Sequence, residues 1–148
     1  MKELLCRKQG IQFLNLANNA LGNRFLEGLS LPNLQSLELS NCKITCVSES
    51  EPPVFRKLNY LGLNQNRLGS LRSFRLIVML RDMGLKMDVV KLDNNKVGNE
   101  LIRLLSSELG ASRPFLKQLS LKENLVDDEV YGLVKHFPLR LDLENNYV

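Results

Sequence analysis

The chain has no tryptophan, and aromatic residues make up only 6% of its 148 residues. A core built around large rings is therefore excluded, and the packing must be aliphatic; the 44% hydrophobic share is enough for a continuous core. Long apolar runs are also missing. The longest, Leu76 to Leu80, falls far short of the roughly 20 residues that a membrane span needs. The first residues carry Lys2, Glu3, Arg7 and Lys8 around only Leu4, Leu5 and Cys6, which is not a secretory signal. Histidine occurs once, at His136, and there is no Cys-x-x-Cys pair, so no metal site is expected. The glycines are isolated, with no Gly-x-x-x-x-Gly-Lys-[Ser/Thr] loop to cradle a phosphate. Three cysteines, an odd count, and the lack of any Asn-x-Ser/Thr acceptor point to reduced thiols and an intracellular setting, cytoplasmic or nuclear. A Cys42–Cys46 bridge is the alternative.

What the chain does have is one eleven-residue pattern, written six times. Leucine-like residues occupy places 1, 4, 6 and 11, and place 9 is asparagine or cysteine. The copies run Ile11, Leu14, Leu16, Asn19, Leu21; Leu34, Leu37, Leu39, Cys42, Ile44; Leu58, Leu61, Leu63, Asn66, Leu68; Met87, Val90, Leu92, Asn95, Val97; Leu116, Leu119, Leu121, Asn124, Val126; and Pro138, Leu141, Leu143, Asn146, Val148. Places 4 and 6 are two apart, so their side chains share one face of a strand, and that face must be buried. Place 9 follows the strand, where the chain turns. An amide there offers two donors and an acceptor to bare backbone groups, so stacked copies should form a polar ladder of Asn19, Cys42, Asn66, Asn95, Asn124 and Asn146.

The pattern resembles that of the leucine-rich-repeat family, L-x-x-L-x-L-x-x-[N/C]-x-L, from about Gln9 to Val148. The resemblance implies an α/β fold: a single domain over residues 1–148, built as a right-handed βα solenoid with about six parallel strands on its concave side. Successive place-9 residues are 23, 24, 29, 29 and 22 apart. The longer intervals leave room for a helix, as in the ribonuclease-inhibitor-like subclass; the shorter ones leave room for extended or 3₁₀ return paths. Ser70 and Asn99 are expected to cap helices that carry Leu71, Phe74, Ile77, Val78 and Leu80, and Leu101, Leu104, Leu105 and Leu109, with Gly84 and Gly110 near their ends. Asp127 and Asp128 suit the start of a helix from Val130 to Phe137, which Pro138 stops. The return path from Val47 to Val54 contains Pro52 and Pro53 and cannot be an ordinary helix. The sixth copy shows no cap, so the chain is either a piece of a longer array or a small protein whose end is covered by a partner or a second copy.

Places 2, 3, 5, 7 and 8 are expected on or beside the outward, concave face. There the acids Glu38, Asp88, Asp93, Glu123, Asp142 and Glu144 face the bases Lys91, Lys117, Lys122 and Arg140, six against four, while the whole chain is +4. The basic excess, including Arg56, Lys57, Arg72, Arg75, Arg81, Arg103 and Arg113, thus falls on return segments and edges. A nucleic-acid binder would gather its Lys and Arg on the working face. We therefore expect a non-catalytic module, with no cofactor, that binds a protein or peptide. Its contact residues would come from Phe13, Glu38, Tyr60, Asn64, Val89, Lys91, Asp93, Lys122, Arg140, Asp142 and Glu144. Phe13 and Tyr60 are the expected anchors, Tyr60 beside an open shelf at Gly62, although place-3 side chains can instead stack on one another. The acids can likewise receive a basic partner or be neutralised by Lys91, Lys122 and Arg140. The alternatives are an RNA- or phosphate-binding module using Arg72, Arg75, Arg81 and Arg103, and a structural segment supporting a neighbouring domain.

Overall fold

The computed structural model describes residues 1–109 and 114–148. Gly110, the expected helix stop, and Arg113, one of the expected back-surface bases, lie outside the described residues. The chain is α/β. Its elements are α1 (Lys2–Cys6), β1 (Phe13–Asn15), β2 (Ser36–Glu38), β3 (Tyr60–Gly62), α2 (Gly69–Asp82), β4 (Met87–Lys91), α3 (Asn99–Leu109), β5 (Leu116–Ser120), a 3₁₀ turn at Asp128–Val130, α4 (Tyr131–Val134) and β6 (Arg140–Asp142). The six strands form one all-parallel sheet in the order β1 to β6.

Each copy of the eleven-residue pattern supplies one strand, and neighbouring strands pair at matching places. Leu14, Leu37, Leu61, Val90, Leu119 and Leu141 are register partners across the whole sheet. The column is buried in its four central members and half-buried at Leu14 and Leu141. Place 6 repeats this: Leu39, Leu63, Leu92 and Leu121 are fully buried, whereas Leu16 and Leu143 are not. Each such leucine contributes about 1.5–3 kcal/mol by leaving water. Alternation forces the split, because places 3 and 5 of the same strands project to the opposite face. In the sixth copy the buried residue at the strand entry is Leu139 rather than Pro138, one place later than the pattern expects.

The return paths follow the interval lengths. The two 29-residue intervals hold α2 and α3, which pack side by side. Ser73, Leu76, Ile77 and Leu80 of α2 and Leu101, Ile102, Leu105 and Leu109 of α3 face the core. The shorter early intervals hold turns and extended chain, tied together by a parallel bridge between Ser30 and Val54. The last helix is shorter than its stripe predicts. A 3₁₀ turn leads into only four α-helical residues, with Val130 buried and Leu133 exposed.

Two expected helix caps do something else. Ser70 lies inside α2, and its Oγ accepts from the Gly98 N–H at 2.9 Å. Asn99 Oδ1 accepts from the Asp127 N–H at 3.0 Å, while its Nδ2 donates to Asp127 Oδ1 at 2.6 Å. Both residues hold the same place in successive copies and bond the next copy, not their own helix. Asp127 does cap the 3₁₀ turn, accepting from Glu129 N–H at 3.0 Å. The Asn99 amide and that N–H hold the Asp127 carboxyl below its usual range.

Candidate functional site

Three rails fix the outward face, two of hydrogen bonds and one of backbone conformation. The first is the place-9 ladder. Asn95 Oδ1 accepts from the N–H groups of Asn66 (3.2 Å) and Leu68 (3.1 Å), and its Nδ2 donates to the carbonyls of Leu63 (2.8 Å) and Asp93 (3.1 Å). Asn66 and Asn124 repeat the arrangement one copy before and one after. Asn146 reaches Leu121 O at 2.7 Å and accepts from Val126 N–H at 3.0 Å. Asn19 is exposed and bonds only its own turn, through Leu16 O and Ala17 O. Cys42 is a free, fully buried thiol that donates to Leu16 O at 3.0 Å. It has no second arm to accept with, so the Asn19 and Leu21 N–H groups receive no side-chain acceptor from the second copy, and the Leu21 N–H donates instead to Asn19 O at 2.8 Å. All three cysteines are free, so no Cys42–Cys46 bridge forms.

The second rail is made by residues that were expected to face a partner. The place-7 N–H of the first two copies and the last is capped from within the strand: Ala17 by Asn15 Oδ1, Ser40 by Glu38 Oε1 and Glu144 by Asp142 Oδ1. In the middle of the sheet the cap comes from the preceding strand. Asn64 Oδ1 accepts from Asp93 N–H at 2.9 Å, and Asp93 Oδ1 accepts from Lys122 N–H at 2.9 Å and Ser120 Oγ at 2.6 Å. Asn64, Asp93, Glu38 and Asp142 thus spend acceptor capacity on backbone.

Place 8 is the third. Asn18, Asn41, Gln65, Asn94, Glu123 and Asn145 all have positive φ, between 51° and 62°. The turn needs a left-handed residue there in every copy, which asparagine tolerates best among residues with a side chain. Its asparagines are explained by the backbone rather than by recognition. The recurrence of Asn at place 8, four times in six, was the available signal in the sequence.

What remains is a place-3 row of Phe13, Ser36, Tyr60, Val89, Gln118 and Arg140, which are register partners across the six strands. Phe13 is 71% exposed. Ser36 stands between it and Tyr60, which places the two rings on strands roughly 10 Å apart. They are therefore separate features, not adjacent members of a stack. Tyr60 is half-buried; its hydroxyl donates to Glu38 Oε2 at 2.9 Å, and Lys91 Nζ lies 5.7 Å from its ring centre. Burial, then the Glu38 hydrogen bond and the charges of Glu38 and Asp93, push its pKa up to about 12. The shelf expected at Gly62 is not open. A Cβ there would overlap the Glu38 carboxylate, which also accepts from Ser40 Oγ.

At the other end, Lys122 Nζ lies 2.5 Å from Glu144 Oε2 and 3.4 Å from Asp142 Oδ2, so these acids are neutralised within the sheet face. Lys91 stands over Tyr60 instead of pairing with Asp93. Among the described residues Arg140 has no ion-pair partner. On the return side Arg75 meets Glu49 (3.5 Å), Arg81 meets Asp82 and Glu108 (both 3.0 Å) and Arg103 meets Glu129 (2.9 Å). Among the described residues no cluster of His, Cys, Asp and Glu gathers as a metal site would, and no helix is long and apolar enough to cross a membrane. No protein-family model matches the chain, and no curated protein matches it.

Proposed function

We propose that the chain is a leucine-rich-repeat module, a right-handed βα solenoid whose outward sheet face binds a protein or peptide. The reading is supported by six copies in register, one strand per copy, and an asparagine ladder whose bonds cross from copy to copy. One observation carries the choice of surface: Phe13 projects into solvent from the first strand, in an outward row that ends at Arg140, which has no ion-pair partner among the described residues. Exposed aromatic residues and arginines are enriched at protein interfaces. Val89 and Gln118 connect the two ends of the row.

Ion pairing argues against the nucleic-acid reading, because three of its four arginines, Arg75, Arg81 and Arg103, already face acids. The free thiol of Cys42, used as a hydrogen-bond donor inside the ladder, supports a reducing, intracellular compartment.

A photo-crosslinking amino acid at Phe13, Val89 or Arg140, compared with one at exposed Arg103 or His136, tests the proposal in extract of the source cell. Discrete adducts are expected from the sheet-face positions. Phe13→Ala with Arg140→Glu should then weaken the captured partner about ten-fold or more with the fold intact. Adducts that arise equally from the return-side positions, or a partner indifferent to the double variant, would refute the sheet-face reading.

A further inference from the structure

The turns after the strands make a second conformational demand besides the one at place 8. In the second, third and fourth copies place 10 is also left-handed, at φ 59° for Lys43, 58° for Arg67 and 59° for Lys96. A side chain in that region crowds its own backbone, a strain that glycine avoids and asparagine tolerates. Place 8 meets the demand with asparagine in the second and fourth copies, whereas place 10 carries a base all three times. The remaining copies have Ala20, Leu125 and Tyr147 at place 10, and none of these is left-handed. Strained backbone that keeps a long side chain in three successive copies points to a use for that side chain.

The three bases form a row. Adjacent turns are bonded from Asn41 N–H to Asn64 O and from Gln65 N–H to Asp93 O, both at 2.8 Å. The turns therefore keep the strand spacing, and the bases leave the backbone roughly 5 Å apart. All three are exposed. Among the described residues none of them has an ion-pair partner, whereas Arg24, Arg75, Arg81, Arg103, Lys117 and Lys122 all face acids. Places 8, 10 and 12 of these copies hold no acid: beside the bases stand Asn41 and Thr45, Gln65 and Gly69, and Asn94 and Gly98. Acids return in the fifth copy, with Glu123 and Asp127, where the row of bases stops. Between Lys43 and Arg67 the surface sinks into a hollow of about 310 Å³, lined also by Asn41, Thr45, Gln65 and Asn66. Its lining offers ammonium, guanidinium, hydroxyl and amide donors and no carboxylate. The buried Asn66 amide is held by the carbonyls of Leu39 (2.8 Å) and Leu63 (3.0 Å), so the floor of the hollow is fixed.

We propose that this row is a binding site for an oligophosphate, a chain of two or three linked phosphate groups, with one group in the hollow between Lys43 and Arg67 and the chain running toward Lys96. Three neighbouring like charges repel one another, and one multivalent anion laid along them removes that repulsion. A phosphate chain concentrates several negative charges on adjoining atoms, and its oxygens match the guanidinium fork of Arg67. Carboxylates bring one charge each, and along an extended acidic peptide they alternate between faces. No aromatic side chain stands at places 8, 10 and 12 of these copies, so the row lacks the stacking platform of a single-stranded nucleic-acid site. The site lies along the turns and uses none of the place-3 row.

Calorimetric titration of inorganic triphosphate into the purified full chain tests this. One saturable site per chain is expected, weakened by added salt. Citrate, a tricarboxylate, should bind at least about ten-fold more weakly. Lys43→Asn, Arg67→Asn and Lys96→Asn should each weaken triphosphate about ten-fold or more, while Arg67→Lys keeps part of the affinity. Asparagine suits the left-handed backbone, so the urea midpoint of these variants should hold or rise, which separates lost binding from lost folding. Phe13→Ala should leave the affinity unchanged. A nucleoside triphosphate that matches the inorganic one would place recognition in the phosphate chain alone; a tighter one would support the same site and name the nucleotide as its source. Absence of saturable binding, or binding indifferent to all three asparagine variants, would overturn the proposal. So would tighter binding of poly-aspartate or of a thymidine oligonucleotide, because the row would then serve an acidic protein segment or a nucleic acid.

Discussion

Asn95 shows how much one side chain can hold. Its amide satisfies two buried N–H groups of the preceding copy and two carbonyls, and the residue itself is completely buried. Alanine would strand these groups where water cannot reach them, at about 1–3 kcal/mol per orphaned group and less than additively. Asn95→Ala should therefore lower unfolding free energy by about 2–4 kcal/mol in urea titration. Asn19→Ala is the control. That amide is exposed and bonds only its own turn, so it should cost under about 1 kcal/mol. Tyr60 gives a second residue-level test. Its folded pKa, about 12, lies above the ordinary phenol value of 10.0. The protonated phenol is thus the form the fold favours; the associated stability is complete below pH 10 and is lost as pH rises through about 12. Ultraviolet titration should resolve a phenol ionising near 12 that disappears in Tyr60→Phe. Glu38→Gln should lower the step only part of the way, because burial, the larger cause, remains. Gly62→Ala should do the same by displacing the Glu38 carboxylate.

Among the elements, α2 is the least economical, and the reason is in its core-facing stripe. Leu76, Ile77 and Leu80 make a complete aliphatic stripe toward the core, but Ser73 is buried in the same stripe with no partner for its hydroxyl among the described residues. Burial of an unsatisfied hydroxyl costs about 1–3 kcal/mol. Ser73→Ala also improves helix propensity, so it should raise stability by about 1–2 kcal/mol, read as a higher urea midpoint at unchanged slope. An unchanged or lower midpoint would mean that the hydroxyl finds a partner in solution. This helix also shows where reading the sequence succeeds and where it stops. Period-two strands, the place-9 asparagines and the long intervals that hold α2 and α3 were legible because each depends on a local rule repeated many times. A groove between α2 and the Pro52–Pro53 return path was not, because it depends on two return paths of different length lying side by side. Ser70 and Asn99 looked like caps because Ser and Asn before a leucine stripe usually are; the competing acceptor demand came from the next copy, 28 residues away in each case. Asn64, Asp93 and Glu38 looked free for recognition because the N–H groups they cap cannot be seen in a linear pattern. The opposite holds for Phe13 and Arg140, which were expected outward and lie exposed at opposite ends of the place-3 row.

In the whole molecule, stability passes from copy to copy, since each packs mainly on its neighbours. The joints are unequal. Between the second copy and the third, the third and the fourth, and the fourth and the fifth, a buried asparagine reaches back and accepts two N–H groups. Between the first and second copies Cys42 stands in that position. Its thiol donates to Leu16 O, but nothing from it accepts the Asn19 and Leu21 N–H groups. The same joint carries only half-buried Leu14, Leu16 and Leu21 on the first copy's side. The first copy is thus held by fewer bonds and less burial than the interior copies, and local opening should start there at lower free energy than global unfolding. Hydrogen exchange should find the amides of residues 13–21 exchanging faster than their counterparts in the third and fourth copies. Cys42→Asn would supply the missing acceptor at a place where three other copies already bury an asparagine. It should slow exchange at Asn19 by about ten-fold, the equivalent of roughly 1.4 kcal/mol, and leave the fourth and fifth copies unchanged. If exchange in the first copy stayed the same, the larger asparagine would have failed to fit the space the thiol occupies, and the weakness of that joint would lie in its packing rather than in the interrupted ladder.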